Sequence, residues 1–277
     1  MFNPQRLVIE HFVQDILESY REMYGELDIH IGNIAAWTGR IVLENIATSD
    51  ALYHNVEHTI MVTQVGQSII RGKHLCEGGI FPRDWLHFTM ALLCHDIGYV
   101  RGICQADEKT VFATGIGNET IEVPSGGTDV AMTPYHIDRS KLFVRERFSG
   151  DLLVDVNAEL IASYIELTRF PPPEGEAYKD TKSLPGLLRA ADFIGQLGDP
   201  NYLRKIPALF YEFEELGTNE TFGYKNPGDM RKRYARFYWE VIDDYIQDAL
   251  YYLRRTQQGQ IWVFNLYAHV FEIEHEE

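Results

Sequence analysis

The stretch YHNVEHT, residues 53–59, is the part of this 277-residue chain around which the rest can be interpreted. Its two histidines, His54 and His58, are four positions apart, so on a helix they lie on one face, a single turn from each other. The pair His95-Asp96 follows about forty positions later, and Asp192 lies much further along. Imidazole nitrogens and carboxylate oxygens together suit a divalent cation. The sequence therefore predicts a metal site built from distant segments.

His95 and Asp96 occur in the most apolar helical pattern of the chain, at about 85–97. Burying either side chain without a partner is costly, so their presence there needs a reason. Adjacent helical residues point about 100° apart, and both can reach one cation only near the end of a helix. Gly98 provides such an end. We therefore expect both residues to be ligands.

Composition narrows the classes of partner. Apolar residues make up 45% of the chain and charged residues 24%, which is typical of a globular protein. The formal net charge of −16 disfavours binding to nucleic acid polymers and to anionic membranes. A small anionic substrate would need a local positive charge, which a metal cluster supplies.

The cysteines and the apolar runs indicate a location. Cys76, Cys94 and Cys104 show no CxxC spacing, and an odd, sparse count favours a reducing cytosol. The first 25 residues lack the apolar core of a signal peptide, and no apolar run is long enough to span a bilayer. A soluble cytoplasmic protein is the expectation.

Helical periodicity covers most of the chain, whereas Gly and Pro interrupt residues 113–134, which we predict to be irregular or a small hairpin. The predicted helices are 4–24, 28–47, 53–71, 85–97, 136–148, 154–168, 184–197, 208–216, 229–257 and 260–271. The fold class is therefore all-α, in one domain over residues 1–277. Its metal-site core lies at about 50–200, with the helices of 201–277 packed on it.

The four candidate ligands resemble the H…HD…D signature of the HD-domain metal-dependent phosphohydrolases, with His58, His95-Asp96 and Asp192 in that order. Residues 53–59 resemble the more restricted YHNxxHA motif of the cyclic-nucleotide phosphodiesterases, with Thr59 at the alanine position. This resemblance implies an all-helical, phosphodiesterase-like hydrolase. It would cleave a phosphate monoester or diester of a nucleotide or a similar small molecule with metal-activated water.

Carried over by position, the resemblance implies that His58, His95, Asp96 and Asp192 bind metal. Asp96 also counts as catalytic because it would bridge to a second metal ion, and His54 would be the general acid. One or two divalent ions are implied, with Mn, Fe, Mg, Zn and Ni all compatible with mixed nitrogen and oxygen ligands. Asn55 either caps the helix that carries His58 or orients a ligand.

Three further residues stay open as second-metal or phosphate ligands: His136, Arg139 and Lys141. For the two basic residues the alternative is a solvated surface, and for His136 a surface or core position. The resemblance disfavours an oxygenase, because HD-type di-iron oxygenases have two further histidines in the interval between Asp96 and Asp192, where this chain has only His136.

The substrate also stays open. The cyclic-nucleotide phosphodiesterases recognise a purine with a glutamine and an aromatic clamp. No counterpart of either is evident in residues 222–252 of this chain. The competing function is a catalytically silent sensor of HD fold that binds metal or nucleotide. Aromatic residues in 229–257 favour a core or subunit interface, so a homodimer is conceivable.

Overall fold

A computed structural model describes residues 3–150 and 153–276 of the chain, and it confirms the all-α prediction. The α-helices are α1 (Pro4–Tyr24), α2 (Ile29–Ile46), α3 (Val56–Glu77), α4 (Pro82–Cys94), α5 (His136–Phe148), α6 (Ala158–Ile165), α7 (Leu184–Leu197), α8 (Tyr202–Glu215), α9 (Thr218–Phe222), α10 (Pro227–Lys232), α11 (Tyr234–Phe237), α12 (Asp243–Leu253) and α13 (Gln257–Glu274). None of these helices combines the length and apolar character needed to cross a bilayer.

The predicted irregular segment contains a small hairpin. Strands β1 (Val111–Ala113) and β2 (Thr120–Glu122) pair antiparallel, with Phe112 opposite Ile121. Short 3-10 helices occupy Ile97–Tyr99, Asp129–Met132, Glu166–Thr168 and Glu176–Lys179, and a π-helical turn (Tyr238–Ile242) joins α11 to α12.

Helices α3, α4 and α7 form the centre of the packing. α3 lies against α7, α4 lies against α2, and α12 covers both α3 and α7. α4 is buried along nearly its whole surface, as its apolar pattern predicted. One large core cluster takes side chains from Ile9 through to Ile273. The candidate ligands are therefore carried by the most enclosed helices of the fold.

Several helix bounds differ from the predictions. α3 continues past Gly72 to Glu77, and α4 ends at Cys94, before His95. Pro207 precedes the predicted helix 208–216, because proline disfavours a helix interior, but it lies inside α8. The predicted helix 229–257 is divided into α10, α11 and α12. Trp37 shares the helical spacing of the apolar residues in 28–47, which predicts burial, yet it is 46% exposed because smaller residues of α2 face the core.

Two local features place α3 and α7 against each other. The side chain of Asn55 accepts hydrogen bonds from the backbone N–H groups of Glu57 and His58, so it caps α3 and sets where that helix begins. Gly195 of α7 meets the backbone of α3 directly, because a Cβ there would lie 2.7 Å from Val62 Cα. His58 and Asp192 are each within one turn of this contact.

A serine fixes the segment that follows α4. Ser140 Oγ donates to the carbonyl of His95 at 2.7 Å and accepts from the N–H of Gly98 at 2.9 Å. Gly98 packs so closely on α5 that a Cβ would lie 1.9 Å from the His136 carbonyl oxygen. Contacts with α5 therefore hold the chain both before Asp96, at His95, and after it, at Gly98.

The close contact of α3 and α7 yields the first prediction. Gly195→Ala should lower the free energy of unfolding by about 2–3 kcal/mol and Tm by roughly 5–8 °C, because backbone atoms must move apart. Alanine favours a helix over glycine by about 1 kcal/mol, which offsets part of the cost. Thermal and urea unfolding measure the change.

Gly150→Ala is the matched control, since a Cβ there meets no described atom within 4 Å. Its Tm should stay within about 1 °C of the wild type. Equal Tm values for Gly195→Ala and the wild type would contradict the packing argument.

Candidate metal centre

The four predicted ligands converge. His58 Nε2 lies 3.2 Å from Asp96 Oδ2 and 3.5 Å from Asp192 Oδ1. His95 Nε2 lies 3.2 Å from Asp96 Oδ2 and 3.6 Å from Asp192 Oδ1. One ligand atom each from His58, His95 and Asp192 lies within 4.8 Å of the others, a spacing that one cation could join. Residues far apart in sequence thus form one cluster.

The end of α4 lets neighbouring residues share the site. His95 still has helical dihedral angles, whereas Asp96 has φ −108° and ψ 2°. Asp96 therefore leaves the helical path, and its carboxylate turns back toward His95 Nε2. The expectation that both residues reach one point near a helix end agrees with this geometry, although α4 ends three residues earlier than predicted.

The hydrogen bonds of His95 suit a metal ligand. Its Nδ1 donates to the carbonyl oxygen of Leu92 at 2.8 Å, which leaves the Nε2 lone pair directed at the carboxylates. His95 Nε2 is buried and has no hydrogen-bond partner among the described residues. A buried imidazole nitrogen in that state fits a cation, so the donor set matches a divalent metal. His58 differs, because its Nδ1 has no hydrogen-bond partner among the residues that the structure describes, so no such bond sets its tautomer.

The electrostatics of the cluster also favour a cation. Burial by itself raises the pKa of Asp192, but the imidazoles of His58 and His95 outweigh it and lower the pKa to about 2. Burial likewise opposes ionisation of Asp96, yet His95 and His58 hold its pKa well below the usual value. For His95, burial lowers the pKa and the two carboxylates reverse the effect, raising it, so without a cation a proton on Nε2 would take the place of the metal ion. Two ionised carboxylates thus attract positive charge to one buried point.

His54 lies beside the cluster and is held by Glu212. His54 Nδ1 donates to Glu212 Oε2 at 2.6 Å, while Glu212 Oε1 accepts from the backbone N–H groups of Tyr53 and His54 at 2.6 and 3.3 Å. Burial by itself lowers the pKa of His54, but the charge and hydrogen bond of Glu212 raise it to about 9. His54 is therefore oriented, and it favours the protonated form at neutral pH.

Tyr99 lies between two histidines, His54 and His136. Its ring stacks on His54 and on His136, with ring centroids 4.5 Å apart in both pairs. His136 Nδ1 donates to the Thr133 carbonyl at 2.6 Å, and its Nε2 lies 3.9 Å from Asp96 Oδ1. Burial lowers the pKa of His136, which favours a neutral ring with a free Nε2 lone pair. A second-metal role for His136 stays a prediction.

The structure fits neither of the roles left open for Arg139, a phosphate ligand or a solvated surface residue. Its side chain is fully buried, and its guanidinium donates to both carboxylate oxygens of Asp107 and to the carbonyls of Gly98, Val100 and Ala113. Every N–H group is used, so none remains for a ligand. Arg139 instead joins α5 to the segment after Asp96.

Lys141 is likewise occupied. Its ammonium group binds Asp138 at 3.0 Å and Glu166 at 2.5 Å, and Arg169 binds the same two carboxylates. This ion-pair network joins α5 to the 3-10 helix after α6. The phosphate role considered for Lys141 is therefore replaced by a structural one.

Comparison with known proteins gives a family. Residues 2–276 match the profile described as Npun_R2479-like, which is nearly the entire chain. The chain belongs to the Npun_R2479-like family. No curated protein and no solved structure matches it. The description of the family states no activity. The phosphohydrolase activity implied by the resemblance to the HD-domain enzymes therefore stays a prediction for this Npun_R2479-like chain.

Two residues beside the cluster were not predicted from the sequence, Glu212 and Tyr99. The sequence contains only a weak indication of Glu212, which stands in the aromatic run from Phe210 to Phe213, and the structure shows that it is 3% exposed. A carboxylate buried there needs a partner, but the partner lies 158 positions away. Nothing in the sequence indicates that Tyr99 contacts the site, because an aromatic residue next to a buried helix is usually part of the core.

The second prediction concerns metal affinity. Asp192→Asn removes one of two negative charges and should lower affinity for Mn²⁺ or Zn²⁺ by about 100-fold or more. Metal content after dialysis, measured by mass spectrometry, and the rise of Tm on adding metal should both decrease. Wild-type Tm should rise, since a ligand at about 100 times its Kd stabilises by roughly 2.7 kcal/mol.

The control is Asp244→Asn, an exposed carboxylate on α12. This variant should bind metal as the wild type does. Metal retained in full by Asp192→Asn, or lost equally in both variants, would show that the cation binds elsewhere.

Proposed function

We propose that this chain is a metal-dependent phosphohydrolase that cleaves a phosphate monoester or diester of a nucleotide or a similar small molecule. The supporting observation is the buried cluster of His58, His95, Asp96 and Asp192, in which the free Nε2 of His95 faces two carboxylates. A divalent ion bound there would supply Lewis acidity toward a phosphoryl oxygen and lower the pKa of a water molecule. The cysteine pattern supports a cytoplasmic location, since all three thiols are free.

The cluster opens on one side. The side chains of His54, His136 and Asp192 are 17%, 16% and 19% exposed, whereas those of His58 and His95 are 4% and 1% exposed. A substrate can therefore approach past His54 and His136, while the other imidazoles face the protein interior. Because the chain is acidic overall, it repels anions, and a phosphate ester would be attracted only by local positive charge at this opening.

His54 would act as the proton donor. Glu212 accepts a hydrogen bond from Nδ1–H of His54, so the second N–H of the charged ring is at Nε2. Stacking on Tyr99 limits rotation of the ring. From this position His54 would transfer the Nε2 proton to the oxygen that leaves phosphorus. Glu212 is a positioning residue in this scheme, because it acts through His54.

The proposal is tested by turnover. Wild-type protein is assayed with p-nitrophenyl phosphate, bis-p-nitrophenyl phosphate, and cyclic and linear nucleotides, each with Mn²⁺, Fe²⁺, Mg²⁺, Zn²⁺ and Ni²⁺ in turn. At least one pair of substrate and metal ion should show turnover. His58→Ala should lower kcat for that pair by about 10³-fold or more, because a bound metal ion lowers the activation free energy by several kcal/mol.

Asp244→Asn again serves as the control and should retain wild-type kcat. Absence of turnover in all pairs, while the chain binds metal and a nucleotide tightly, would reject the enzyme and favour the sensor alternative.

Glu212→Gln tests the proton donor. It should lower kcat by roughly 10–100-fold for a poor leaving group, as loss of a partner that orients a histidine does. A p-nitrophenyl ester, which leaves without protonation, should lose much less. The ratio of the two losses is the readout, and metal content should not change.

Glu214→Gln, on the exposed side of the same helix, is the matched control and should leave both rates unchanged. Equal losses for good and poor leaving groups in Glu212→Gln would mean that Glu212 serves only stability.

A further inference from the structure

Helix α13 has two apolar faces. Val263, Leu266 and Val270 pack into the core. On another face, Ile261, Phe264 and Phe271 are 59%, 73% and 63% exposed, and Ala268 lies between the two phenylalanines. The four positions follow one another at spacings of three, four and three residues. They are called the α13 stripe below.

This spacing is that of a helix packed along another helix. Side chains three and four positions apart form one continuous seam, and repetition of that spacing is the pattern of two helices whose side chains interlock. Isolated exposed apolar residues are ordinary on a protein surface, whereas an aligned seam of large ones marks an interface. We propose that the α13 stripe is the contact of a homodimer, in which α13 packs antiparallel on α13 of a second copy.

Shape supports self-association. A two-fold axis through the middle of the α13 stripe, near residue 266, brings residue 264 of one copy opposite residue 268 of the other. The large ring of Phe264 then faces the small side chain of Ala268 in the second copy. The same axis brings Ile261 opposite Phe271. Large side chains thus face a small one at the centre, which is how two identical surfaces can interlock.

Charge selects the antiparallel direction. Arg254 and Arg255 are exposed just before α13, and Glu272, Glu274 and Glu276 are exposed at its other end. An antiparallel pair brings the basic end of each helix to the acidic end of the other. A parallel pair would gather six carboxylates, and Arg231, which binds Glu272 and Glu276 in its own copy, offsets only part of that charge.

The size of the surface sets the expected strength. α13 has 18 residues, so it is about 27 Å long. A standard stable interface buries about 800 Å² on each partner, and one helix pair of this length buries less. We therefore expect a dimer with a dissociation constant on the order of micromolar, which separates on dilution.

Sedimentation velocity on the full chain from 1 to 300 µM tests the interface. The wild-type weight-average mass should rise toward twice the monomer mass. Phe264→Glu should weaken association by at least tenfold, because a buried carboxylate would face Ala268. Leu75→Glu is the matched control, since Leu75 is 63% exposed on α3, outside the stripe.

A wild-type protein that is monomeric at every concentration overturns the proposal. So does a dimer that Phe264→Glu leaves intact, or one that Leu75→Glu dissociates equally. Circular dichroism of the variants shows whether each retains the helical fold.

A distance measurement tests the direction. A nitroxide label is placed at Gln258→Cys in a Cys76→Ser background, since Cys94 and Cys104 are buried. Antiparallel pairing puts the two labels about 25 Å apart, because residue 258 faces residue 274 of the second copy. Parallel pairing puts them about 10 Å apart. A distance below about 15 Å overturns the antiparallel arrangement.

Discussion

Two ionised carboxylates, the buried Asp96 and the half-buried Asp192, lie beside two buried imidazoles, and this is the constraint on which the rest of the structure depends. Asp96 and Asp192 lie where α3, the end of α4 and α7 meet, and both keep a lowered pKa although burial opposes it. Negative charge in such a place must be balanced by protons or by a cation. Several close contacts in the fold hold these groups together.

Those contacts act at different levels of the structure. Asn55 sets where α3 begins and hence where His58 points. Gly195 lets α7 approach α3 closely enough for Asp192 to reach His58. Ser140 and Arg139 tie α5 to the segment after α4, so Asp96 is held in its non-helical conformation. A change at any of these positions would act on the cluster without touching a ligand atom.

Sequence reasoning succeeded where the signal is local. The bounds of α1 and α7 agree with periodicity because Asn3 and Ser183 cap their first turns and Gly25 and Gly198 follow their last residues. It failed where the outcome depends on a partner elsewhere. Arg139 looks like a surface residue until Asp107 and three carbonyls surround it, and Trp37 looks like core until smaller residues of α2 take the inner face.

The sequence by itself determined that this is an all-α chain, and that two histidines one turn apart, a His-Asp pair and a later aspartate are candidate ligands. Those statements follow from periodicity, residue chemistry and spacing, which need no coordinates. Only the tertiary structure decided that the candidate ligands meet, that Glu212 orients His54 across 158 positions, and that Arg139 is internal. The physical reason is that burial and pairing are properties of contacts between distant segments, and a linear pattern carries no distance between them.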